Sequence, residues 1–155
     1  MSTQNATIIR SPDKKGMTTS NSHYTFHLSS YPVHGNIGFF EGHFKEPVIK
    51  YNLHYHKILT EIFMVTKGEF YFIIGDEEFV FGEGDSAIIP PLTVHGFKSK
   101  TPASRLQFIF TNTEDRESFF NGLAKIVNGE ITLNEEELEA FYNKHDQYSV
   151  QRTGI

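Results

Sequence analysis

The apolar positions of this chain recur at two different periods, and the change falls near Thr113. From "YTFHLSS" (residues 24–30) to "FTNT" (residues 110–113) the runs are short, aromatic and β-branched, and turn residues divide them, which predicts strands. The clearest pair is "EFYFIIGDEEFVF", where Gly75-Asp76 separates two such runs as a hairpin turn would. A second break comes at "GEGD" (residues 82–85), and "SAIIPP" then forms a short strand stopped by Pro90-Pro91. "SRLQFIFT" alternates in part before running fully apolar. About eight extended segments in under a hundred residues predict an all-β sandwich or closed barrel, because closure removes exposed edges.

Beyond Thr113 the period lengthens. "EDRESFFNGLAKIVNG" places Phe119, Leu123, Ile126 and Val127 on one helical face, with Asn128-Gly129 as the stop. Thr132 and Glu135 have the spacing of a capping box and open a second amphipathic helix carrying Leu138, Phe141, Tyr142 and His145. Both helices are expected to pack on the outside of the β core. Residues 1–22, rich in Ser, Thr, Asn and Lys, form a loose arm that can order by pairing with another strand or subunit. The expected division is therefore an arm (1–22), a β-barrel (23–112), a helical extension (113–147) and a tail (148–155).

Composition narrows the function classes. At 155 residues the chain suits one domain with a real core, and 15 Phe with 7 Tyr make that core or a pocket aromatic. The net charge of −5 and the lack of a basic tract argue against a nucleic-acid partner. With no cysteine, disulfides, zinc-thiolate sites and thiol nucleophiles are excluded. No apolar stretch approaches the ~20 residues of a membrane span, and "MSTQNATIIRSPDKKGMTTS" shows no signal-peptide core, so a soluble cytoplasmic protein is expected.

The chemistry lies in "YNLHYHKILTEIFMVTKGEFYF". His54 and His56 stand at i and i+2, so in a strand both rings leave the same face, and two imidazoles so spaced can converge on one ion. Glu61 follows His56 by five positions, an odd offset, so a bend within "KILT" must intervene if it is to join them. Phe63 and Val65 share its face, and Gly68 supplies the next turn. Downstream, "GDSAIIPPLTVHGF" spaces Gly84, Pro90 and His95, and its turn is a place from which to aim His95 across a barrel.

Together these segments resemble the two signature motifs of the cupin superfamily. His54, His56, Glu61 and Gly68 match the first motif, and Gly84, Pro90 and His95 match the second. Val48 stands where the first motif begins with Gly; Leu92 and Ser99 replace an internal Gly and a final Asn of the second. The resemblance covers residues 35–111 and implies a double-stranded β-helix, or jelly-roll, barrel. It also implies one divalent transition ion per chain, held by His54, His56, Glu61 and His95. Three nitrogens and a carboxylate suit iron, manganese, nickel, cobalt, copper or zinc. His23, His27, His34, His43 and His145 are read as satisfied surface or core residues, with His43 alone considered for the pocket.

The order of arm, barrel and phenylalanine-containing helix looks like the single-domain quercetinase-type cupins. That similarity implies a dioxygenase acting on an aromatic or enolisable small molecule, with Glu61 as catalytic base. A redox-neutral isomerase or lyase and a non-catalytic ligand-binding cupin are the alternatives. A symmetric homodimer is expected, since pairing would cover an open sheet edge.

Overall fold

A computed structural model of the chain describes residues 9–28, 36–113 and 115–152. Two antiparallel sheets face each other. The first carries β1 (Gly16–Thr18), β2 (Ser22–Leu28), β3 (Gly38–Phe44), β10 (Ser104–Thr111), β5 (Thr60–Lys67) and β8 (Ser86–Ile89) in that spatial order. The second carries β11 (Tyr148–Ser149), β4 (His54–Tyr55), β9 (His95–Ser99), β6 (Phe70–Ile74) and β7 (Glu77–Phe81). The chain thus crosses from one sheet to the other at every step from β3 to β11 except β6 to β7, which form a hairpin within one sheet. This is the jelly-roll barrel that the cupin resemblance implies, within the all-β class expected from the strand pattern, with α1 (Arg116–Val127) and α2 (Glu135–Lys144) following it.

The predicted turns form where expected. Gly75 has φ +62° in the two-residue loop that leaves Ile74 opposite Glu77, a conformation glycine adopts without strain. In the 82–85 turn the Asp85 carboxylate accepts from the Gly82 N–H at 2.8 Å.

Alternation along the strands builds the core. Phe26, Phe40, Phe108 and Phe63 stand in register across four neighbouring strands, and all four rings are buried. One register row nearer the barrel mouth, Glu61 lies between Phe110 and Ile89. Part of the arm belongs to this structure: β1 pairs with β2 of its own chain, and Met17 is buried.

Both helices differ in register from the sequence expectation. In α1 the buried residues are Arg116, Phe119, Phe120 and Ala124, whereas Val127 is 56% exposed. Val127 keeps the right period, but the last turn has run out of core to cover. The Phe120 ring packs with Tyr24 at 5.2 Å, Phe40 at 4.7 Å and Phe119 at 5.4 Å between centroids, which makes the helix part of the core. Helix α2 is capped by Asn134 and Glu137, not by Thr132 and Glu135. The Asn134 side chain accepts from Glu137 N at 2.9 Å while Glu137 accepts from Asn134 N at 3.0 Å. Both pairs have the capping-box spacing, but the helix starts at Glu135, so Asn134, the stronger N-cap of the two, takes the position. Neither helix among the described residues is long and apolar enough to cross a membrane.

Candidate metal centre

The sheet change after β4 supplies the bend that Glu61 requires. His54 leaves the second sheet from β4 and is paired across the ladder with His95 of β9; His56 follows at the end of β4; Glu61 comes from β5 in the opposite sheet. All four side chains are buried, and one ligand atom from each lies within 4.8 Å of the others. Glu61 Oε2 is 2.9 Å from His95 Nε2, 3.1 Å from His56 Nε2 and 4.0 Å from His54 Nε2. On an ion with bonds of about 2.1 Å, ligand atoms at right angles sit about 3 Å apart, so these spacings suit one centre.

The outer ring nitrogens decide the chemistry of the set. His54 Nδ1 donates to the Asn52 carbonyl at 2.8 Å, His95 Nδ1 to the Thr93 carbonyl at 2.9 Å, and His56 Nδ1 to the Asp146 carbonyl at 2.5 Å. A carbonyl can only accept, so each Nδ1 carries a hydrogen and each ring turns its Nε2 inward as the atom left to bind an ion. Three inward Nε2 atoms and a carboxylate oxygen then converge on one point. Such a donor set fits a divalent cation, which His54, His56, Glu61 and His95 would hold.

Electrostatics agree with this preparation. Burial pushes the His54 imidazole well below its ordinary value, and neighbouring His95 adds to the effect, so the ring stays neutral near pH 7. Burial alone would raise the Glu61 carboxyl, but hydrogen bonds from His56 and His95 outweigh it and hold the group below the usual carboxylate range.

His54 and Glu61 open onto a cavity of about 190 Å³ walled mainly by phenylalanines, including Phe97, Phe108, Phe110 and Phe120. Arg116, Gln147, Asn52 and Lys50 add polar groups to the same wall. Sequence reasoning missed Arg116 and Gln147. An arginine at the first helical position looks like an ordinary exposed charge, yet this one is 3% exposed and its guanidinium lies 3.8 Å from the centre of the Phe119 ring. Its two terminal nitrogens donate to the His145 carbonyl at 3.0 Å and to Gln147 Oε1 at 2.8 Å. Burial pulls its pKa down to about 10, so it remains a cation at neutral pH.

The motif departures leave the ligands intact. Val48 N–H donates to the Ser99 hydroxyl at 3.0 Å, so two of the departing positions join the loop before β4 to β9. Leu92 takes φ +66°, the left-handed conformation the family's glycine would adopt freely.

The remaining histidines stand apart from the centre. His43 alternates to the outer side of β3, so it belongs to no pocket wall around Glu61. His23 bonds Thr18 Oγ1 at 2.9 Å, and His145 packs on Phe119 and Phe141. His27 is only half satisfied: Lys14 Nζ donates to its Nδ1 at 2.7 Å, while Nε2 is buried without a partner among the described residues. His34 lies outside the described residues.

Comparison with known proteins agrees with this architecture. Residues 45–112, which contain all four converging side chains, match the cupin domain family. Over that span the chain is similar to cupin domains. The structure of KdgF from Halomonas sp. is similar with a TM-score of 0.62 and 16% identity over 73% of this chain and 99% of that one. An RmlC-like cupin from Shewanella frigidimarina gives 0.58 and 17% over 74% and 96%. Pac13, a nucleoside dehydratase solved also in uridine-bound form from Streptomyces, gives 0.58 and 10% over 95% and 92%. At these identities the likeness is one of fold. No curated protein matches the sequence.

Proposed function

We propose that this protein is a mononuclear metal-dependent cupin enzyme, a dioxygenase acting on an aromatic or enolisable small molecule. The observation that carries the reading is that the converging His54, His56, Glu61, His95 cluster opens, through His54 and Glu61, onto a phenylalanine-walled cavity. A bound transition ion would supply Lewis acidity and, where the ion is redox-active, electron exchange with dioxygen. The chain's own groups supply the rest. The phenylalanines exclude water and favour a flat, apolar substrate body. His54 and Glu61 mark the one end of the cavity where a substrate hydroxyl would be anchored.

Glu61 is the proposed base. Held by His56 and His95 it is a poor one, because those contacts keep its carboxyl ionised well into acid. Drawn away from them it would regain basicity, since burial then acts alone and favours the protonated form. A hydroxyl brought within hydrogen-bond reach could then pass its proton to Glu61 and become the more oxidisable enolate.

Arg116 favours a second reading. A buried guanidinium in the cavity wall suits an anionic substrate or enediolate, as a redox-neutral isomerase or lyase would use. That a nucleoside dehydratase shares the fold shows that the barrel accommodates chemistry other than oxygenation.

Oxygen uptake separates the readings. Metal-loaded protein should consume dioxygen with a member of a panel of phenols, flavonols and diketones, and Glu61→Gln should lower turnover by about two to four orders of magnitude at equal metal content. Product formed at the same rate without oxygen would reject the oxygenase in favour of the redox-neutral enzyme. For assembly we propose a symmetric homodimer, which light scattering at tens of micromolar would confirm as twice the chain mass or refute as a monomer.

A further inference from the structure

Of the three histidines, two are oriented locally and one is not. His54 and His95 each bond the carbonyl two residues before them, whereas His56 bonds the carbonyl of Asp146, ninety positions away. The Asp146 side chain completes the attachment. Its carboxylate accepts from the backbone N–H of Lys57 at 2.9 Å, Ile58 at 2.9 Å and Leu59 at 3.0 Å, the three residues that carry the chain from His56 towards β5. Asp146 holds φ +56°, a left-handed conformation that Asp and Asn tolerate better than other non-glycine residues.

The neighbouring residues fasten the same segment on both sides. Arg116 holds the His145 carbonyl and Gln147 side chain. Tyr148 and Ser149 pair with Tyr55 and His54, and Val150 N–H donates to the Leu53 carbonyl at 2.9 Å. The Tyr148 ring stacks on Tyr55 at 5.3 Å, with Lys57 Nζ 3.8 Å from its centre. Strand β4, only two residues long, therefore has β9 on one side and this segment on the other.

We propose that residues 145–150 form a clasp in which Asp146 is a positioning residue that sets the metal affinity of His56. The proposal rests on the four-residue cluster being a metal site and not on which reaction follows. Its physical basis is the Nδ1–H···O=C bond, which fixes the tautomer and aims the Nε2 lone pair inward; outer partners of this kind contribute roughly 10–100-fold in metal affinity. Linkage makes the effect reciprocal: an ion that prefers the clasped state stabilises the clasp by the same factor.

The test compares Asp146→Gly with Asp146→Asn in the full chain. Glycine accepts the left-handed backbone but loses the carboxylate, whereas asparagine keeps one acceptor at the same place. Affinities for Zn(II) and Co(II) are measured by chelator competition, with the Co(II) visible spectrum as a report on ligand geometry. Asp146→Gly should bind both ions about 10–100-fold more weakly and with an altered Co(II) spectrum, and Asp146→Asn should recover most of the loss. A folded Asp146→Gly protein with affinities within about twofold of wild type and an unchanged spectrum would overturn the proposal, even if its apo form melts lower, since that would be a structural role alone.

Should Asp146→Gly fail to fold, amide exchange in the wild type decides. Saturating Zn(II) should slow exchange at residues 57–59 and 146–150, and unchanged exchange there would overturn the clasp. Wild-type protein that binds neither ion refutes the metal site and the clasp together. Intact metal linkage without oxygen uptake would leave the clasp standing and refute only the oxygenase.

Discussion

Replacing Phe120 by Ala tests the helix-to-barrel packing on which the cavity depends. The ring is 4% exposed and has Tyr24, Phe26, Phe40, Phe108, Phe110 and Phe119 within 6.2 Å between centroids. Its removal forfeits the burial of an aromatic side chain and strips contact from six neighbouring rings. The barrel strands that carry most of those rings cannot collapse inward to refill the space. Phe→Ala changes in such surroundings cost about 3–5 kcal/mol. For a domain of this length each kcal/mol lowers Tm by about 2–4 °C, so a fall of about 6–20 °C is expected. Val127→Ala is the control, because sequence periodicity places it on the same buried face and the structure leaves it 56% exposed. It should shift stability by no more than about 0.5 kcal/mol. Urea and thermal unfolding of chelator-treated protein measure both, so that metal linkage does not mask the difference. Equal losses in the two variants, or less than about 1 kcal/mol for Phe120→Ala, would refute this packing.

Three further outcomes follow from the site and its loops. The double variant His54→Ala/His56→Ala should retain almost no metal by elemental analysis, and metal content equal to wild type would remove the ligand assignment. Leu92→Gly should hold or raise stability by up to about 1 kcal/mol, since it relieves a left-handed leucine that is 69% exposed, while a loss of more than that would show an unrecognised contact. Without metal, stability should fall as pH drops below 6.5: folded His54 resists protonation through burial and His95, so the unfolded chain takes up the proton first. Glu61, low in the folded state, adds a further loss at more acid pH; a Tm that rises from pH 7 to pH 5 in calorimetry would contradict the His54 sign, and one that rises below pH 4.5 the Glu61 sign.

Features that depend on short spacings were legible in the residues alone. Strand alternation, the Gly75-Asp76 hairpin, the Pro90-Pro91 stop and the i, i+2 histidine pair are local properties, legible because a strand repeats every two residues. The sequence also required a bend before Glu61 without showing what the bend was. In the folded barrel the chain changes sheets there, which brings the carboxylate to the histidines from the opposite wall. The same holds for Val127, whose period was right but whose burial depended on where the barrel ends. Arg116 and Asp146 were invisible for a related reason. A charged residue carries no period, and its role is fixed by which distant groups packing places within hydrogen-bond reach: the His145 carbonyl for the one, the His56 ring and the three amides after it for the other.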